Sequence, residues 1–201
     1  MTYRPPAVLA AEVVTVDHIS RGRLELGLGA AWFAEEHRQL GIPFPDAPER
    51  VRRLEEATEV IRRLLTEDDV HFEGHHYHLR GATYRPRPVQ SPHPPIWIGA
   101  GGEQLALPLV ARLADVWHTF GPVDELRRKG RLVDEHAERL GRDPGEIRRA
   151  TNLSLSQPFG EIRRTIEALD DAGLSYLVVS WPSEGRERLE NFITEVLPDY
   201  R

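Results

Sequence analysis

The sequence contains no cysteine among its 201 residues. That absence removes thiol nucleophiles, iron–sulfur clusters and cysteine-ligated zinc from the chemistry open to this chain. It also removes a disulfide framework, which secreted proteins of this size often carry. The start of the chain lacks the apolar core of a signal peptide. We therefore expect a cytoplasmic protein.

Long apolar runs and concentrated positive charge are also missing. No uninterrupted apolar stretch approaches the roughly 20 residues that a membrane helix needs. The formal net charge at pH 7 is −6, whereas a nucleic-acid-binding surface requires a basic patch or stripe. We therefore expect neither a membrane nor nucleic acid as a partner. With 40% hydrophobic and 29% charged residues, the composition is typical of a soluble globular chain.

What the sequence does have is an alternation of short apolar runs with longer amphipathic stretches. This pattern is typical of βα units around a parallel sheet, so the predicted fold class is α/β. The runs predicted as strands are 24–30, 95–101, 115–120, 150–156 and 176–181. The stretches predicted as helices are 6–19, 49–65, 124–140, 162–172 and 183–197, the last of them capped by Ser183.

An insertion at 66–94 interrupts this alternation. Apolar residues alternate on either side of Glu73, which predicts a β-hairpin, and a proline-rich crossing follows it. Strand alternation places His71, His76 and His78 of this hairpin on one face, and three imidazoles can bind a metal. Because no flanking carboxylate completes a ligand set, we interpret these histidines as exposed polar residues and predict no metal site.

Two of the predicted strands end in glycine-rich turns, GLGAAW at 27–32 and GAGGE at 99–103. Glycine at the end of a strand lets the backbone approach a ligand, and the amides that open a helix bind anions. Since a helix is predicted to follow directly from Glu103, the second turn is the better phosphate cradle. Glycines that merely form tight turns are the alternative. A dinucleotide fingerprint fits neither turn, because Trp32 and Gln104 occupy the third glycine position.

Motifs around these turns resemble a known family. They are YRxPAxLA at 3–10, DxISxGR at 17–23, GLGAAW at 27–32, EH at 36–37, GIPFP at 41–45, RxxRLEE at 50–56 and PPIWIG at 94–99. The set resembles the luciferase-like monooxygenase family, and within it the coenzyme F420-dependent oxidoreductases. The resemblance is dense from Tyr3 to about Trp117 and thinner beyond.

The resemblance implies a TIM (β/α)8 barrel with a cofactor across its C-terminal mouth. The cofactor would be coenzyme F420, with FMN as the alternative. Residues that would contact it are Gly29, Ala30, Ala31 and Trp32 in the first turn, Gly99, Ala100, Gly101 and Gly102 in the phosphate turn, and Thr119. His118 is the candidate catalytic residue, because imidazole titrates in the range useful for proton transfer.

The implied activity is hydride transfer between F420 and a small organic substrate, with an FMN-dependent monooxygenase as the alternative. Family members begin about three βα units earlier, so we expect a single luciferase-like domain over 1–201 that is an incomplete barrel of about strands 4–8. Either a homodimer or a missing N-terminal segment would then complete the site. A catalytically silent fragment is a third hypothesis.

Overall fold

A computed structural model describes residues 2–200 of the chain. Its main sheet is parallel and has five strands, in the order β1, β4, β5, β6, β7. The strands of this sheet are β1 (Leu26–Gly29), β4 (Ile96–Gly99), β5 (Val116–His118), β6 (Arg148–Leu153) and β7 (Tyr176–Val179). Four of these strands lie within runs predicted as strands, and β6 overlaps its run but begins two residues earlier. The predicted parallel α/β fold is therefore observed.

Within residues 2–200, seven α-helices connect and cover these strands. They are α1 (Pro6–Ser20), α2 (Ala34–Gln39), α3 (Ala47–Thr66), α4 (Ala106–Leu113), α5 (Val123–Arg139), α6 (Phe159–Asp171) and α7 (Arg186–Glu195). Asp46 caps α3, since its carboxylate accepts a 2.8 Å hydrogen bond from the Glu49 amide. The predicted Ser183 cap is wrong: α7 begins after Gly185, whose φ is +88°, and the Ser183 hydroxyl donates to Glu184 instead.

A separate antiparallel hairpin lies between α3 and β4, where the sequence predicts it. It consists of β2 (Val70–Glu73) and β3 (His78–Ala82), with Glu73 opposite His78. The hairpin is fastened to α3, because the Glu56 carboxylate accepts hydrogen bonds from the amides of its connecting loop.

The prediction that three histidines share one face of this hairpin is wrong for His76. His71 and His78 are exposed and lie 3.4 and 3.8 Å from the carboxylates of Asp69 and Glu73. The side chain of His76 is only 7% exposed and points to Glu49 of α3, 3.5 Å away. The loop turns this imidazole under the helix, which strand alternation does not anticipate. Within residues 2–200, no three His, Asp or Glu side chains are grouped as a metal site.

The two faces of the main sheet have different surroundings. Leu28, Ile98 and Trp117 are buried on the face that packs against α1, α3 and α4. The opposite face carries half-buried or exposed side chains, namely Glu25, Trp97, His118, Asn152, Tyr176 and Val178, beside the buried Val116 and Ala150. Much of this face is therefore accessible in residues 2–200. None of the helices within residues 2–200 is long and apolar enough to cross a membrane.

Candidate functional site

The predicted site residues meet in one cleft at the C-terminal ends of β1, β4 and β5. Because these strands are parallel neighbours, Gly29 is paired with Gly99 and Gly99 with His118. The cleft has a volume of about 520 Å³ and is lined by Gly29, Ala30, Ala31, Trp32, Gly99, Ala100, Gly101, His118, Thr119 and Phe120. Gly102 borders this set, and its carbonyl accepts the first amide hydrogen bonds of α4. A C-terminal strand edge is where ligands bind in parallel α/β folds.

The glycines of the two turns are not required by the conformation of the chain. None of the turn glycines has a positive φ, so tight-turn geometry does not explain them. A Cβ added at Gly27 or Gly29 would meet no atom within 4 Å, and one at Gly99 would meet only the Leu28 carbonyl oxygen at 3.8 Å. The space that Gly29 and Gly99 leave open faces the cleft, as expected of a surface that a ligand approaches closely. The turns therefore fit a cofactor better than they fit tight turns.

The first turn is held from outside by α3. Arg50 Nε donates a 3.0 Å hydrogen bond to the Ala30 carbonyl oxygen, and its guanidinium lies 3.9 Å from the centre of the Phe44 ring. Beyond the turn, Trp32 is 84% exposed and stacks on Phe33 with ring centres 5.3 Å apart. Trp32 is thus an aromatic surface at the cleft rather than a core residue, and it can pack against a planar ring.

The second turn is held from below by a buried indole. Trp117 Nε1 donates a 2.9 Å hydrogen bond to the Ala100 carbonyl oxygen, and the side chain is fully buried. The expectation that a helix follows directly from Glu103 is wrong, because α4 begins only at Ala106. The intervening residues form a turn in which the Glu103 carboxylate accepts hydrogen bonds of 2.5 and 3.0 Å from Arg128. These bonds lower the pKa of Glu103 below its ordinary value.

His118 lies on the open face of the sheet, at the end of β5. Its Nε2 is 3.0 Å from the Asn152 amide oxygen, which can only accept, so Nε2 carries the proton in this pair. The ring also contacts Phe120 edge-on, with centres 4.8 Å apart. Asn152 and Phe120 were not predicted as site residues. The signal for Asn152 is its place on β6 two positions beyond Ala150, the residue that pairs with His118.

Comparison with known proteins identifies the family. The family described as luciferase-like monooxygenase matches residues 1–157 of the chain. The chain belongs to the luciferase-like monooxygenase family. The resemblance in the sequence motifs is thereby confirmed at the level of the family.

Two curated relatives and one solved structure illustrate the relationship. An FMNH2-dependent dimethylsulfone monooxygenase of Pseudomonas putida is 31% identical over 165 residues, covering 78% of this chain and 45% of its own. An uncharacterised protein of Mycobacterium bovis is 32% identical over 139 residues, which cover 69% of this chain and 48% of that protein. The chain spans about half the length of these relatives.

The structural relative is an F420-dependent secondary alcohol dehydrogenase in complex with an F420-acetone adduct. Its TM-score is 0.88 at 18% identity, with 100% of this chain and 77% of that chain covered. At this identity the likeness establishes a shared fold. That fold is the α/β parallel-sheet fold of the luciferase-like barrels.

Proposed function

We propose that the chain forms the cofactor-binding part of a luciferase-like oxidoreductase. Residues 99–102 would hold the phosphate end of the cofactor, and residues 29–32 would contact its ring system. The observation that carries this proposal is the convergence of two glycine turns on one cleft, where neither φ nor packing within the protein calls for glycine. Membership of the luciferase-like family supports the same assignment.

Two cofactors fit the cleft, because coenzyme F420 and FMN both join a planar tricyclic ring to a phosphate. The sequence motifs favour F420, with hydride transfer to or from a small organic substrate. The 31% identity to an FMNH2-dependent monooxygenase favours reduced FMN. When bound, either cofactor supplies the redox chemistry, and the protein supplies binding, orientation and electrostatics.

The chain's own residues have distinct roles in this proposal. Trp32 offers an aromatic face to the ring, and the backbone of residues 99–102 offers amides to the phosphate. His118 is the candidate proton carrier, since the Asn152 oxygen fixes the proton on Nε2 and leaves Nδ1 to accept. The carbonyls of Ala30 and Ala100 are held by Arg50 and Trp117, which keeps both turns in place.

We further propose that the main sheet is part of an incomplete barrel, corresponding to about strands 4–8, within a single domain over 1–201. The support is the open sheet face, because residues that would point into a barrel are accessible here. Either a second copy of the chain or a segment preceding these strands would cover that face and add to the substrate pocket.

Equilibrium titration of the 201-residue chain with FMN, reduced FMN and F420 tests the cofactor proposal. Gly29→Val fills the cleft, so we expect it to weaken cofactor binding at least tenfold without lowering the unfolding free energy. Gly27→Val is the matched control, because Gly27 lies on the same strand face but does not line the cleft. If none of the three ligands binds the unmodified chain, the proposal fails and the silent-fragment hypothesis stands.

A further inference from the structure

A buried positive charge lies beside the cleft. Lys129 on α5 is the only lysine in the sequence and is 8% exposed. Its Nζ lies 3.6 Å from the position that a Cβ on Gly101 would take, and Thr119 Oγ1 lies 3.7 Å from that same position. The ammonium, the hydroxyl and the glycine turn thus surround one small volume.

We propose that Lys129, together with the Thr119 hydroxyl, binds the phosphate group of the cofactor, and that Glu125 pairs with the lysine when no phosphate is bound. This inference rests on the proposed function, and it deepens it by naming the cation of the phosphate subsite. It also predicts that Glu125 competes with phosphate for the same ammonium group.

The burial of Lys129 is the first argument. Removing an ammonium group from water is costly unless a partner compensates. Its partner is Glu125, whose Oε1 lies 2.7 Å from Nζ, but the Glu125 side chain is 42% exposed while that of Lys129 is 10% exposed. A pair that served only to stabilise the helix would be expected on its solvated surface. Here the cation is turned inward, towards the glycine turn.

Thr119 supplies a second and independent observation. It is 3% exposed and lines the cleft, yet its hydroxyl makes no hydrogen bond with any residue in the part of the chain that the structure describes. The hydroxyl oxygen itself is accessible from the cleft, so it can donate to a ligand that binds there. A phosphate oxygen at this point would accept from both Thr119 and Lys129, and from the backbone amides of the turn.

The negative charge of Glu125 competes with phosphate for Lys129. The neighbouring Arg128 is already paired with Glu103 through two hydrogen bonds, so Lys129 is the cation with donors to spare. A phosphate that approaches Nζ is repelled by the Glu125 carboxylate. Removing that negative charge should therefore strengthen phosphate binding, whereas removing the lysine should weaken it.

FMN and riboflavin differ only in the phosphate, so their affinities separate this subsite from the rest of the cleft. We expect Lys129→Met to weaken FMN binding about tenfold or more and to leave riboflavin binding unchanged. Glu125→Gln should tighten FMN binding severalfold, and Lys129→Arg should restore part of the loss. Arg131→Met is the control, since it removes a positive charge from an exposed position on the same helix.

Equal losses of FMN and riboflavin affinity in Lys129→Met would show a merely structural role and overturn the proposal. So would FMN affinity that stays unchanged in both Lys129→Met and Glu125→Gln. If Lys129→Met does not fold, Glu125→Gln still decides, because unchanged or weaker FMN binding in that variant contradicts a phosphate site beside Glu125.

A phosphate titration keeps this inference separate from the proposed function. Isotope labelling of lysine gives a single side-chain NMR signal, because the chain has only one lysine. We expect a saturable shift of that signal with inorganic phosphate and none with chloride at equal ionic strength. If the chain binds neither FMN nor F420 but shows this shift, the phosphate subsite stands while the cofactor assignment fails. Absence of the shift overturns the subsite.

Discussion

Ala31 occupies a backbone conformation that suits glycine better than alanine. Its φ is +62°, in the left-handed region, at the turn that lines the cleft. An alanine in this left-handed conformation lowers the stability of the folded state by about 1–2 kcal/mol. A glycine lowers it by about 0.5–1 kcal/mol, because it loses more backbone freedom on folding. We therefore expect Ala31→Gly to raise the free energy of unfolding by about 0.5–1 kcal/mol, measured by urea denaturation.

The adjacent residue provides the control for this prediction. Ala30 has no positive φ and packs against the main core. Ala30→Gly should therefore lower the free energy of unfolding by about 0.5–1 kcal/mol or more, since it adds unfolded-state freedom and removes a methyl group that packs on the core. A destabilised Ala31→Gly would contradict the expected relief of strain.

Trp117 links the core to the phosphate turn through its indole N–H. Trp117→Phe removes the donor to the buried Ala100 carbonyl and leaves a small cavity, so we expect a loss of about 2 kcal/mol in unfolding free energy. FMN affinity should fall as well, because the turn is no longer held. Trp97→Phe is the matched control, since Trp97 Nε1 bonds Glu25 on the accessible face. A smaller effect at Trp117 than at Trp97 would refute the role assigned to this indole.

At the scale of elements, the hairpin depends on a carboxylate of α3. Glu56 accepts hydrogen bonds from the amides of His75, His76 and Tyr77 at 2.9, 2.8 and 3.3 Å. Burial acts to raise the pKa of Glu56, but the backbone hydrogen bonds from His76 and His75 outweigh it and hold the pKa below its ordinary 4.5. The ionised carboxylate therefore stabilises the packing of the hairpin on α3.

Replacing that carboxylate should have an effect that depends on pH. A lowered folded-state pKa contributes stability above the ordinary pKa, and this contribution is lost as pH falls through the folded-state value. We expect Glu56→Gln to cost about 1 kcal/mol at pH 7, given partial exposure to solvent. The difference from the unmodified chain should shrink below about pH 4.5 in urea denaturation. Glu59→Gln, on the same helix, is the control, and an equal cost there would contradict the assignment.

Most strands of the main sheet could be predicted from the sequence because they are short apolar runs bounded by turn residues. The strand β6 is more polar, and its start was predicted two residues too late. The same pattern, with glycine at two strand ends, located the cleft. Lys129 and Asn152 could not be found in this way, since they reach the site through helix packing and strand register. Likewise, the inward turn of His76 and the late start of α4 depend on contacts with Glu49 and Arg128, which are remote in sequence.

At the scale of the molecule, the open sheet face is an unusual surface. Trp97, Tyr176 and Val178 are on this face, and Phe120 at its rim is 64% exposed. The outer edges of β1 and β7 are also unpaired within the described sheet. Exposed apolar patches and unpaired strand edges both favour association with another surface. The open face is therefore expected to be covered in the functional protein.

This expectation can be tested on the 201-residue chain itself by sedimentation velocity. We expect association that depends on concentration in the micromolar range, because covering the face removes apolar area from water. Val178→Lys places a charge at the end of the face formed by β7 and should weaken this association about tenfold. Val89→Lys is the control, since Val89 is 52% exposed but lies in the crossing before β4. If the unmodified chain stays monomeric at a concentration 100-fold above the micromolar range, the open face does not bind a second copy of the chain and the expectation is wrong.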